Sequence, residues 1–327
     1  MSAISRRTVL AMATGALAAP ALAQGSWNPT RPITLVVAFP QGGRTDLACR
    51  MIIPGLQSAL GVPIEIDNVG GDAGNLGTEA VMSARHDGYT LLFGAVGPMA
   101  INPHTVDGMT LDPREMVPVG LVARSSLLLC AHPSLGLNDL ASLRSLVATR
   151  KDDVLTFASP GTGSLPHLAM ELLRDQLGGP GMKHLPCRGS AAALQEVLSG
   201  RAKLLFDTAS AAAPSLRARA LNVLMVTGAS RCQAIPQIAT AQEQGLANFA
   251  FSAWIGLFAP RKTPAVVVAR LNAALNAAMA DAGLRGRVTG RGDEPGGGTP
   301  DEMARMMAAD YDRWGELVRA HDIRADA

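Results

Sequence analysis

The chain has 327 residues, the length of two domains or one large one. Hydrophobic residues make up 48% and charged residues 17%, which excludes a disordered chain. The formal charge is only +2 and aromatics are 4%, which argues against a nucleic-acid binder and against stacking platforms for bases or sugars.

Residues 1–23 read as an export signal. Arg6 and Arg7 form a positive start, Val9 to Ala19 an apolar stretch, and Ala21-Leu22-Ala23 a cleavage site before Gln24. The stretch falls short of the about 20 apolar residues that span a bilayer. Ser5-Arg6-Arg7-Thr8-Val9-Leu10 is also similar to a twin-arginine signal, so the Sec and twin-arginine routes both stay open. The expected location is the periplasm. The four cysteines, Cys49, Cys130, Cys187 and Cys232, are spread without a CxxC and read mainly as buried small residues, with pairing left open.

From Arg31 onward, strands and helices alternate. Ile33 to Phe39 is a continuous apolar run, the pattern of a strand buried on both faces. A glycine turn leads to a helix from about Asp46, and Pro54 is expected to kink it. Strands follow at Pro63 to Asn68 and Tyr89 to Phe93, with a helix to about Arg85 between them. A right-handed βαβαβ unit results. A second series begins near Pro118. It has strands at Leu127 to Ala131, Leu155 to Ala158, Lys203 to Phe206 and Leu221 to Val226. Its helices are Leu137 to Arg150, Leu165 to Leu177 and one capped by Ser190 that ends at Ser199. Trp254 to Ala259 leads into two C-terminal helices. The last opens on Thr299-Pro300-Asp301-Glu302, a capping box, and carries Met303, Met307, Tyr311, Trp314 and Val318 on one face as core. No linker separates the series, so two α/β domains joined by crossing strands, with a cleft between them, are expected.

Two loops carry the chemistry. Phe39-Pro40-Gln41-Gly42-Gly43-Arg44-Thr45-Asp46 is a strand, a glycine turn and a helix start, a seat for an anion made of backbone N–H groups. Asp46 either caps that helix or accepts from a ligand. Ser159-Pro160-Gly161-Thr162-Gly163-Ser164-Leu165-Pro166-His167 repeats the architecture in the second series, with Ser164 as N-cap. Ligands of open α/β sheets bind at such strand ends. A hydrolase using Ser164 and His167 is disfavoured, because the chain has no G-x-S-x-G elbow and no placed acid. His184 and Cys187 lack a second pair for a metal. No Walker A or dinucleotide fingerprint is present. Arg291-Gly292-Asp293 reads as a turn. No catalytic residue, metal or cofactor is expected.

These motifs make the chain resemble the receptor proteins of tripartite tricarboxylate transporters, also called the Bug family. The matches are Arg31 to Val37; Phe39, Gly42, Gly43, Asp46 and Arg50; Asp87-Gly88-Tyr89-Thr90-Leu91-Leu92; and Ile101-Asn102-Pro103. They continue with Ser159, Gly161, Gly163 and His167-Leu168; Phe206-Asp207; and Trp254, Gly256, Leu257 and Ala259-Pro260. The resemblance covers essentially the whole mature chain. It implies a type II periplasmic-binding-protein fold, with residues 24–124 plus 250–327 as one α/β domain and 125–249 as the other. It implies capture of a small organic acid in the interdomain cleft, held largely by backbone N–H groups and waters without an obligatory arginine. Phe39, Gly42, Gly43, Thr45 and Asp46 would form one jaw. Ser159, Gly161, Thr162, Gly163, Ser164 and His167 would form the other. Asp207, Thr208, Gly94, Ala95 and Val96 would line the sides. Where the family has Pro-Tyr-Lys-Gly, this chain has Pro186-Cys187-Arg188-Gly189, which reshapes the pocket and offers Arg188 as a planar fork for carboxylate. The implied partners are a small carboxylate and the membrane permease subunits of a tripartite transporter. A sensor kinase is the alternative partner, and the protein itself is expected to be a monomer.

Overall fold

The computed structural model describes residues 26–109, 112–149, 155–178 and 181–325. The export signal read at 1–23 lies outside these residues. Among the described residues no helix is long and apolar enough to cross a membrane.

The first series builds β1 (Ile33–Val37), α1 (Arg44–Leu60), β2 (Ile64–Asn68), α2 (Asn75–Met82) and β3 (Thr90–Ala95). β1 runs parallel to both β2 and β3. Ile33, Leu35 and Val37 pack into one hydrophobic cluster and Val36 into another, so both faces of β1 are covered and its sequence is apolar throughout. Pro54 lies inside α1 without ending it. A single ladder bond is lost, and buried Ile52 and Leu56 anchor the helix on either side. A short turn of helix, α3 (Asn102–Thr105), follows β3.

β4 (Val117–Ser125) and β5 (Leu127–Ala131) are separated by Ser126 alone, yet they belong to different sheets. The second series continues with α4 (Leu140–Thr149), β6 (Leu155–Ser159), α5 (Leu165–Leu177), β7 (Met182–Pro186) and α6 (Ser190–Leu198). β8 (Leu204–Thr208), α7 (Ala209–Arg217) and β9 (Asn222–Val226) complete it. The chain then returns to the first sheet through β10 (Ala253–Ala259), α8 (Ala265–Met279), α9 (Ala282–Gly290), β11 (Glu294–Gly297) and α10 (Pro300–His321). The six-stranded sheet has the order β11-β4-β10-β3-β1-β2, and the five-stranded sheet β7-β6-β8-β5-β9. β6 is parallel to β7 and β8, while β5 is antiparallel to β8 and β9. Two α/β lobes joined by crossing strands result.

The crossings are pinned by one buried side chain. Thr227 Oγ1 accepts the Leu127 N–H at 3.0 Å and donates to the Phe251 carbonyl at 2.9 Å. Its own N–H donates to the Leu127 carbonyl. Thr227→Val keeps the shape and strands a buried donor and acceptor. We expect it to lower unfolding stability by about 1–3 kcal/mol in a denaturant titration. An unchanged midpoint would mean that the hydroxyl holds nothing together.

The capping box at Thr299 and Glu302 forms, with Pro300 at the first helical turn. Met303, Met307, Trp314 and Val318 are buried in the core, with Tyr311 half-buried against it. Gly77 shows why α2 carries a glycine: a Cβ there would sit 2.7 Å from both Ala38 Cα and Val69 O. Those are backbone atoms just past the ends of β1 and β2, and they cannot swing away. Gly77→Ala is expected to lower stability by about 1–3 kcal/mol, read as a fall in the thermal midpoint. A wild-type midpoint would rule out that close approach.

Ser190 does not cap α6. Gly189 holds the cap position and Ser190 is the first helical residue. All four cysteines are free, and burial pushes the Cys49 thiol up to about 12, so it packs as a small apolar residue.

Candidate functional site

A cleft of about 560 Å³ opens between the two sheets. One wall comes from the end of β1 and the start of α1, with Phe39, Arg44 and Leu47. Val96, just after β3, joins it. The opposite wall comes from Pro160 and from the first residues of three helices. These are Ser164, Leu165 and Pro166 at α5, Ser190 at α6, and Thr208, Ser210 and Ala211 at α7. Asp207, Leu127, Ala253 and Arg291 complete the lining. Helices α1, α5, α6 and α7 therefore all present N-terminal turns, where orphan N–H groups carry partial positive charge.

The sequence-derived residues divide into two groups. Phe39, Val96, Ser164, Asp207 and Thr208 line the cleft. The others stand beside or behind it. Asp46 is fully buried, and Oδ2 accepts the Gly42 N–H and Arg50 Nε–H, each at 2.9 Å. Oδ1 accepts from Asn68 Nδ2 at 3.0 Å. The Arg50 hydrogen bond is the strongest of the influences that hold its carboxyl down at about 2. Both oxygens are committed, so Asp46 fixes the Gly42–Gly43 turn from beneath. Gly42 has φ +82, a conformation that a side chain would strain. Thr45 is buried at the helix start, and Gly94 is buried under Leu92 and Phe258 with Ala95 beside it.

The second loop is likewise tied to itself. Ser159 Oγ donates to the Gly161 carbonyl at 3.0 Å and accepts the Gly161 N–H at 3.2 Å. It also lies 2.7 Å from His184 Nε2. Ser164 occupies the N-cap position of α5, but its hydroxyl donates to the Gly161 carbonyl at 2.7 Å rather than capping the helix. His167 Nδ1 accepts the Gly163 N–H at 3.1 Å, and the His167 and His184 rings stack 3.8 Å apart. Gly163 lies against Thr105. Thr162 sits within this loop. Ser164 and His167 are thus each engaged away from one another. Among the described residues no group of three or more His, Cys, Asp or Glu could hold a metal ion.

The cations of the cleft differ from the sequence expectation. Arg188 is exposed and does not line it, whereas Arg44 and Arg291 do. Arg44 Nη2 donates to Asp293 Oδ1 at 3.3 Å and to the Ala253 carbonyl at 3.4 Å, while its buried Nε finds no acceptor among the described residues. The Arg291-Gly292-Asp293 turn is therefore part of the site. Arg291 lines it, Gly292 rests on Ala209 at the start of α7, and Asp293 anchors Arg44. The sequence signal for Arg44 was present, inside the first loop, but nothing local says which way its guanidinium points.

Asp207 is the penultimate residue of β8, where its register opposite Leu128 in β5 fixes it. It is 3% exposed. Oδ1 accepts the Thr208 N–H at 2.8 Å, and Oδ2 is buried without a donor among the described residues. Burial pushes its carboxyl up to about 6, against smaller opposing pulls from the Thr208 N–H and the Arg44 charge.

The sequence profile of the tripartite tricarboxylate transporter family receptor matches residues 48–323. The chain belongs to that family. The protein BugT of Bordetella pertussis is 31% identical over 316 residues, covering 94% of each chain. Among solved structures, Rhodopseudomonas palustris Rpa4515 with adipate is 33% identical, with TM-score 0.78 over 90% of this chain and 99% of that one. MatC (Rpa3494) from Rhodopseudomonas palustris with bound malate is 32% identical, with TM-score 0.74 over 89% and 99%. As a receptor of this family, the chain has the fold of substrate-binding proteins, two lobes around a cleft.

Proposed function

We propose that the protein is a periplasmic solute-binding protein. It captures a small carboxylate in the cleft between its lobes and passes it to the membrane subunits of a tripartite tricarboxylate-type transporter. The observation that carries this reading is Arg44. Its charge stands in a cleft faced by four helix N-termini, with Nε unmatched. Anions gain from both features. The relatives that hold adipate and malate support the same ligand class. On this reading the segment 125–249 is the second lobe, and the lobes close about Ser126 and Thr227. Residues 1–23 direct export. Phe39, Arg44, Ser164, Thr208 and Arg291 contact the ligand, while Gly42, Gly43 and Asp46 shape the loop that carries Arg44.

The test is a thermal-unfolding panel of organic acids on protein that has been unfolded, dialysed and refolded. At least one acid should stabilise it, by about 2.7 kcal/mol at a hundredfold excess over Kd. No shift with any acid would remove the reading.

A further inference from the structure

Two residues that line the cleft from opposite lobes each bury an unmatched polar atom. Arg44 Nε is a donor without an acceptor, and Asp207 Oδ2 is an acceptor without a donor, both among the described residues. Each is rigidly held. Arg44 is tied by Asp293 and the Ala253 carbonyl, and Asp207 by its place in β8 and by the Thr208 N–H. Buried polar groups left unpaired are costly, so a ligand that meets both gains more than one that meets either.

We infer that the cleft selects acids that carry a hydroxyl or ammonium beside the carboxylate, with the carboxylate on Arg44 and the hydroxyl or ammonium donating to Asp207 Oδ2. This rests on the reading of the cleft as a carboxylate site and names the subclass of acid. A plain dicarboxylate, fully ionised, has acceptors only. It satisfies Arg44 but brings negative charge toward a second carboxylate, whose support is the Thr208 N–H and the Arg44 charge that the ligand itself would engage. A hydroxy or amino acid supplies the missing donor. Arg291, exposed where it lines the same cleft, is free in chemistry to meet a further carboxylate. Sites built to bond a ligand hydroxyl or ammonium reject the analogue that lacks it strongly, because the protein group is then left unpaired.

The experiment is calorimetric titration at pH 7.5 with three matched sets that share a carbon skeleton. They are propionate, lactate and alanine; succinate, malate and aspartate; and glutarate, 2-hydroxyglutarate and glutamate. Wild-type protein should bind a hydroxy or amino member at least about tenfold tighter than its unsubstituted partner. Asp207→Asn should shrink that preference to within about threefold, because a neutral amide no longer accepts as a carboxylate does. Equal affinities within each set on wild-type protein would overturn the inference and leave the carboxylate site standing. So would a preference that survives in Asp207→Asn. No heat with any of the nine acids would overturn both. Wild-type selectivity decides alone if Asp207→Asn does not fold.

Discussion

Arg44→Met is expected to weaken binding of the preferred acid by about a hundredfold, measured by calorimetry on ligand-free protein. The guanidinium is a fork with one edge already spent. Nη2 is held by Asp293 and the Ala253 carbonyl, which fixes one edge of a side chain that lines the cleft. Such a preorganised charge loses little freedom when a carboxylate arrives, and removing it leaves the bound anion to the helix N-termini and the exposed Arg291. Arg44→Lys separates charge from geometry. An ammonium keeps the charge but cannot serve Asp293 and a ligand along two edges, so its affinity should fall between Met and wild type. Wild-type affinity in Arg44→Met would mean that the glycine loops hold the anion without it.

The second large effect is on stability and has the opposite sign to a loss. The Asp207 carboxyl lies at about 6 in the folded protein against 3.8 when unperturbed, because burial disfavours its charge. The folded state therefore binds the proton more tightly than the unfolded chain. Below about pH 4 both states hold it. Between about pH 4 and 6 the unfolded chain releases it first, so stability falls as the pH rises. Above pH 6 the full penalty is present, up to about 3 kcal/mol. Asp207→Asn has no proton to lose. It should be more stable than wild type at pH 8, by as much as that penalty, and no more stable at pH 4. Denaturant unfolding at pH 4, 6 and 8 reads this directly. A variant less stable than wild type at pH 8 would show that the buried carboxylate is already well solvated. A residue that weakens the empty protein while matching a ligand is what a binding site requires.

The fold was legible where one segment carries its own pattern. The run at Ile33 to Val37 shows burial on both faces, and Thr299 with Glu302 shows a capping box; both are visible without knowing a neighbour. β7 was missed because Met182-Lys183-His184-Leu185-Pro186 is a polar edge strand that takes its structure from β6. α7 was missed because Ala209 to Arg217 contains Pro214 and few large apolar residues. The lobes' contributions to the cleft were legible as glycine loops before helices, and Ser164, Asp207 and Thr208 do line it. Its cations were not. Arg188 had the right chemistry beside the right loop, yet it is exposed and is not among the residues that line the cleft. Arg44 gains its orientation from Asp293, 249 positions away, and Arg291 reaches the cleft on a turn whose sequence says only that it turns. Side-chain direction set by a distant partner has no local signature.

A crystal structure of refolded protein with the tightest acid of the panel tests most directly whether a carboxylate binds between the lobes against Arg44. Density for the acid is expected between the Phe39–Arg44 loop and the Asp207–Ser210 turn, with a carboxylate on Arg44. Density instead in the smaller pocket of about 230 Å³ beside Arg124 and Arg313 would contradict binding there.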